Sequence, residues 1–165
     1  MQSASVQRRP LAESYTLQEL RERVRSTRQG SFAFACISSG HDYIQDLQHR
    51  LNFPETINQG NAPLCGPAAF LYCVAKSFRE VFERYALELA LFGSTQLGNL
   101  GVEPSQACKR ATRHIYSSDS SSAWGAIRPI DWVTLARFDK HLVPNAQPSF
   151  KSIWHYNAGH HDDMV

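Results

Sequence analysis

The sequence predicts an α+β chain, helical through its N-terminal half, with a small β part toward the C-terminus. The main helical signal is Phe78, Val81, Phe82, Tyr85, Leu89 and Phe92 at i, i+3, i+4, i+7 spacing, with Arg79, Glu80, Glu83, Arg84 and Glu88 on the other faces. That is the period of an amphipathic helix. A second signal is Ala68–Ala75, apolar on nearly every side and therefore expected to lie in the core. The stretches with β character, Ser31–Ile37, Ser94–Val102 and Ser152–Tyr156, are short by comparison.

In chain order, residues 1–14 read as a polar, disordered tail. Thr16-Leu-Gln-Glu19 is a capping box, in which the Thr hydroxyl and the Glu carboxylate each satisfy a backbone N–H at a helix start. A helix over 17–28 follows. Its Arg21, Arg23, Arg25 and Arg28 resemble a nucleic-acid patch, but Glu19 and Glu22 dilute the charge, and a solvated helix face is the better reading. Ser31–Ile37 alternates aromatic with small residues, as a short strand does. His41–Leu51 is a second helix. Gly60 and Pro63 break the chain, and Pro67 sits in a first turn, where no N–H is needed, so a helix begins near Cys65. The amphipathic helix stops at Gly93. Ser94–Val102 sets glycines among Leu and Val, as a turn or short hairpin does, and Ser117–Ser122 is a polar loop. Pro129–Ala136 is one more helix. Arg137–Val165 is unpatterned apart from Ser152–Tyr156.

With 165 residues, 42% of them hydrophobic, the chain can bury a normal core in one domain, here 15–165. A formal charge of +2 is too small to make nucleic acid or an acidic membrane the main partner. No apolar run reaches eighteen residues, and no apolar segment follows Arg8 and Arg9. No membrane span or ordinary secretion signal is expected, and the expected location is cytoplasmic. Cys36, Cys65, Cys73 and Cys108 lack paired Cys-x-x-Cys spacing and are too few to staple a core of this size, which favours a reducing compartment.

Of the four cysteines only Cys65 has a chemical setting. The unpaired N–H groups and the macrodipole of a helix start favour a thiolate. The N–H of the same residue is placed to meet the oxygen of an attacked carbonyl. Gln59 stands six residues earlier, in Gln59-Gly-Asn-Ala-Pro-Leu-Cys65-Gly-Pro-Ala. The plainer reading is that Gly66-Pro67 starts a core helix, with Cys65 a small hydrophobe and Gln59 a loop residue. Cys36, Cys73 and Cys108 read as packing residues.

Gln59, Cys65, Gly66 and the apolar helix after them resemble the papain-like cysteine hydrolases. The Cys-Gly-Pro-Ala form is similar to the bacterial bacteriocin-processing peptidase-like branch of that superfamily. The resemblance covers about twenty of 165 residues. It implies a papain-like fold with Cys65 as nucleophile, the Gln59 amide as second oxyanion donor, and a His with an Asn or Asp from later strands. His155 is the candidate base, because Ile153-Trp-His-Tyr-Asn157 places His155 and Asn157 on one face if extended; Asn157, Asp162 or Asp163 would orient it. His160 and His161 beside Asp162 and Asp163 read as an adventitious metal binder, so no metal or other cofactor is expected.

Members of that branch continue an Asp-Trp pair, here Asp131-Trp132, with Ala-Ser-Leu-Arg and a later His-bearing strand. Loss of one base turns such a reading frame into Ala-Arg-Phe-Asp, which stands here at Ala136–Asp139. The resemblance thus also admits a truncated or frame-changed C-terminus, in which case the residues after Ala136 are not ancestral and the ancestral His is absent. The expected reaction is hydrolysis of a peptide or side-chain amide, by a peptidase or a deamidase, on a peptide or protein substrate. The resemblance also admits a bacterial effector or toxin exported by a dedicated machine. The alternative is an inactive papain-like domain that serves as a binding module.

Overall fold

The computed structural model describes residues 15–59, 65–111 and 127–135. The expectations for the tail 1–14, the Ser117–Ser122 loop, the Ser152–Tyr156 strand, His155 and Asn157 lie outside these residues. Within them the chain is mostly helical, with a small two-stranded antiparallel sheet, which is α+β in the broad sense.

Helix α1 (Leu17–Ser26) starts as its capping box requires: Glu19 N–H donates to the Thr16 hydroxyl at 3.2 Å, and Thr16 N–H donates to the Glu19 carboxylate at 2.7 Å. It ends two residues before the expected 28, with Thr27 as its extended C-cap. Leu20 and Val24 face the core. Three of the four arginines that resembled a nucleic-acid patch are engaged within the protein. Arg21 pairs with Glu83 at 2.6 Å, Arg25 with Glu22 at 2.7 Å, and Arg23 lies over the Tyr15 ring.

Helix α2 (Gly40–Asn52) is capped by the Ser39 hydroxyl. Its first residue must be glycine, because a Cβ there would stand 1.9 Å from the Val24 carbonyl oxygen at the end of α1. The buried face of α2 is Gly40, Tyr43, Ile44, Leu47, Arg50 and Leu51, a helical stripe that includes one arginine. A single 3-10 turn at Pro54–Thr56 leads toward Gln59.

Helix α3 (Cys65–Ser77) begins at the expected cysteine, but the expectation that it is buried all round is corrected. Pro67, Leu71, Val74 and Ala75 face the core, whereas Cys65, Gly66, Ala69 and Cys73 are exposed. Cys73 is therefore not a packing residue. The physical reason is that α3 packs against α2, the 3-10 turn and α4 (Arg79–Phe92), all of which cover one side of it.

Helix α4 is the centre of the structure, in contact with α1, α2, α3, the first strand and the last helix. Phe82, Tyr85 and Leu89 are buried as the periodicity requires. Phe78, Val81 and Phe92 are not, at 64%, 43% and 37% exposure, while Glu83 and Glu88 are buried. A helix surrounded by neighbours meets protein on its polar face too. Glu83 there accepts from Arg21, and Glu88 accepts from the Thr95 hydroxyl and from Arg84.

Gly93 closes α4 in the left-handed region at φ 68°, where a side chain would be strained. The expected hairpin follows. Strands β1 (Thr95–Leu97) and β2 (Leu100–Val102) pair antiparallel with Leu97 opposite Leu100. Helices α5 (Gln106–Arg110) and α6 (Pro129–Leu135) complete the described chain.

Ser31–Ile37 is not a strand. Phe32 and Phe34 are buried, as the alternation implies, but Ala33 N–H donates to the Ala90 carbonyl at 2.9 Å and Ala35 N–H to the Lys109 carbonyl at 2.8 Å. Both acceptors lie in the last turns of α4 and α5, where helices leave carbonyls without intrahelical partners. The segment is an irregular strap that closes two helix ends.

The buried apolar side chains form one cluster, with Trp132, Tyr43, Tyr85, Phe34 and Phe82 the largest. The polar tips of its aromatics are all bonded. Tyr43 donates to the Ala86 carbonyl, Tyr85 to the Thr134 carbonyl and Trp132 to the Cys108 carbonyl. Among the described residues no helix is long and apolar enough to cross a membrane.

Candidate active site

Cys65 is the first residue of α3 and is exposed. The first four N–H groups of an α-helix have no intrahelical acceptor, and Pro67 removes one of them. The N–H groups of Cys65 and Gly66 therefore have no acceptor within the helix. Gln59 lies at the end of the segment that leaves α2, and its Nε2 donates to Cys65 Sγ at 3.1 Å. Two residues six positions apart in the chain are thus brought within one hydrogen bond of each other. A carbonyl attacked by this sulfur would have the Gln59 amide and the backbone N–H groups of the helix start close to its oxygen.

Behind Gln59 stands a network that the sequence reading did not assign. Arg50 on α2 and Asp131 on α6 form a buried two-pronged ion pair, Nε to Oδ1 at 2.9 Å and Nη2 to Oδ2 at 2.7 Å. The third guanidinium nitrogen, Nη1, donates to the Thr56 hydroxyl at 3.2 Å. The Asp131 carboxylate also accepts the backbone N–H of Asn58, the residue before Gln59. Burial pushes the Asp131 carboxyl above the ordinary range, against the opposing pull of the Arg50 guanidinium and the Asn58 N–H. A signal for Arg50 was present in the sequence. It falls at the tenth position after Gly40, in register with Tyr43, Ile44, Leu47 and Leu51 on the inner stripe of α2.

The candidate base His155 and its partner Asn157 are outside the described residues. Among the described residues no imidazole is hydrogen-bonded to Cys65. His49 packs against Phe53 in a tilted arrangement, with ring centroids 5.2 Å apart. Among the same residues no group of three or more His, Cys, Asp or Glu side chains is arranged to hold a metal ion. A cleft of about 340 Å³ lies further along α3, between Asn52, Glu55, Tyr72, Lys76 and Arg79. There Lys76 donates to the Tyr72 hydroxyl at 3.0 Å, and Arg79 donates to the Leu51 carbonyl and to Asn52.

No protein-family model matches this chain, and no curated protein or solved structure matches it.

Proposed function

We propose that this protein is a cysteine hydrolase of papain-like architecture that cleaves an amide through a thioester. The observation that carries the reading is the 3.1 Å hydrogen bond from Gln59 Nε2 to Cys65 Sγ at the start of α3. A glutamine amide held at a thiol, beside helix N–H groups that have no acceptor within the helix, is the arrangement an oxyanion hole requires.

In this reading the Cys65 thiolate attacks the amide carbon and forms a C–S bond, and the carbonyl electrons move onto oxygen. Gln59 Nε2 and the Cys65 N–H stabilise that oxyanion. Collapse breaks the C–N bond, and the amine leaves with a proton supplied by His155, the base that accepted the thiol proton, oriented by Asn157. Water then hydrolyses the thioester and regenerates the thiol. The substrate is a peptide bond or a glutamine side chain of a peptide or protein, and the two differ only in which amide the site admits.

The test compares acetylation of Cys65 and Cys73 by p-nitrophenyl acetate, each located by peptide mass spectrometry, with turnover of a peptide library alongside. Cys65 is expected to react faster than Cys73 by about 100-fold, the usual contribution of one oxyanion donor. Release of ammonia or of a new amino terminus separates deamidase from peptidase. Equal rates at the two thiols, with no turnover, overturn the reading and leave a binding module in its place.

A further inference from the structure

Arg50 and Asp131 are 81 residues apart in the chain and meet at 5% and 1% exposure. Desolvation of two such charges largely cancels their attraction, so apolar residues of similar volume would stabilise the core as well. What an apolar pair lacks is direction. Here the guanidinium uses two nitrogens on the carboxylate and a third on Thr56, whose hydroxyl donates to the Phe53 carbonyl at 2.6 Å. The carboxylate in turn takes the Asn58 N–H. The segment between α2 and Gln59 has only one 3-10 turn of its own. It is anchored at Thr56 and at Asn58, three residues and one residue before Gln59.

We propose that the buried Arg50–Asp131 pair is a positioning device for the oxyanion donor: it fixes the backbone at Asn58 so that the Gln59 amide is held at Cys65 Sγ. This rests on the reading of Gln59 as that donor. Neither Arg50 nor Asp131 touches the thiol, and neither is a catalytic residue.

The test is made on the full chain with the paired replacement Arg50→Met/Asp131→Leu, which removes both charges together and so leaves no unpaired ion in the core. Two readouts are taken. One is hydrogen exchange of the Asn58 amide by NMR. The other is the ratio of Cys65 acetylation by p-nitrophenyl acetate to Cys65 alkylation by iodoacetamide. Acetylation passes through an oxyanion and alkylation does not, so the ratio isolates the Gln59 contribution from general access to the thiol.

The expected result is an unchanged cooperative melt, Asn58 exchange faster by about tenfold or more, as for one lost hydrogen bond, and a ratio lowered to that of Gln59→Ala, about 100-fold below wild type. Adding Gln59→Ala to the pair should lower the ratio no further, since both changes remove one interaction. If Gln59→Ala lowers the ratio and the paired variant does not, the positioning role is overturned and the hydrolase reading stands. Unchanged Asn58 exchange overturns it as well. If Gln59→Ala itself leaves the ratio unchanged, the oxyanion reading fails and the positioning role fails with it. Should the paired variant not fold, Thr56→Val removes one anchor from a half-exposed position. It should lower the ratio in the same direction by a smaller factor, and an unchanged ratio overturns the role.

Discussion

Cys65 and Cys73 are two exposed thiols on one helix, roughly 12 Å apart along its axis at 1.5 Å per residue. Cys65 is at the N-terminus, beside Gln59 and the helix N–H groups without intrahelical acceptors. Cys73 is two turns on, where the backbone N–H and C=O groups are already paired within the helix. Exposure is shared and helix is shared, so a difference in reactivity between them measures what the setting of Cys65 supplies, the helix start, Gln59 and its base, against that of Cys73 beside Lys76.

The largest expected difference comes from removing one thiol at a time. Cys65→Ala should reduce turnover to background, a loss of roughly 10⁶-fold for a nucleophile in a working site, while Cys73→Ala should leave turnover intact. Steady-state kinetics on the substrate found in the library screen checks both. Equal losses from the two variants would erase the comparison.

Next in size is the donor. Gln59→Ala should lower turnover by about 10²–10³-fold and leave iodoacetamide alkylation at both cysteines unchanged. Parallel loss in both reactions would mean that Gln59 controls access and not charge.

The two faces of α3 sharpen the same contrast in stability. Leu71 is fully buried on the inner face, and Leu71→Ala should cost about 2–5 kcal/mol by lost burial and cavity formation. Cys73→Ala on the outer face should stay within about 0.5 kcal/mol. Urea denaturation of the two variants measures both, and comparable losses would mean that the outer face is covered in solution.

The smallest expected effect separates the two helix starts. At α1 the Thr16 backbone N–H, followed by its hydroxyl, holds the Glu19 carboxyl below its ordinary value of 4.5. A carboxylate lowered on folding contributes stability that is present above pH 4.5 and lost as pH falls through its folded value. Amide exchange in the first turn of α1 should therefore rise as pH falls below 4.5, once corrected for the intrinsic rate, whereas the start of α3 has no such box. Glu19→Gln should remove the dependence, and its persistence would assign it elsewhere.

The amino-acid sequence by itself determined what depends on neighbours a few residues away. The Thr16–Glu19 box, the helix start at Cys65, the left-handed stop at Gly93 and the short hairpin after it are all closed between residues no more than seven positions apart, so their residue types declare them. Gln59 and Cys65 also meet across six residues, but the resemblance of the motif around them suggested it, not a local rule. Tertiary structure alone decided the rest. Ser31–Ile37 has the alternation of a strand, yet its partners are helix ends at Ala90 and Lys109, which no local pattern names. Glu83 reads as solvent-facing until Arg21 arrives from 62 residues away, and Arg50, though in register with the inner stripe of α2, has no partner until Asp131 arrives from 81. The physical reason is one of range: a local hydrogen bond needs only the right side chain at the right offset, whereas a buried charge is tolerable only where the fold delivers its partner.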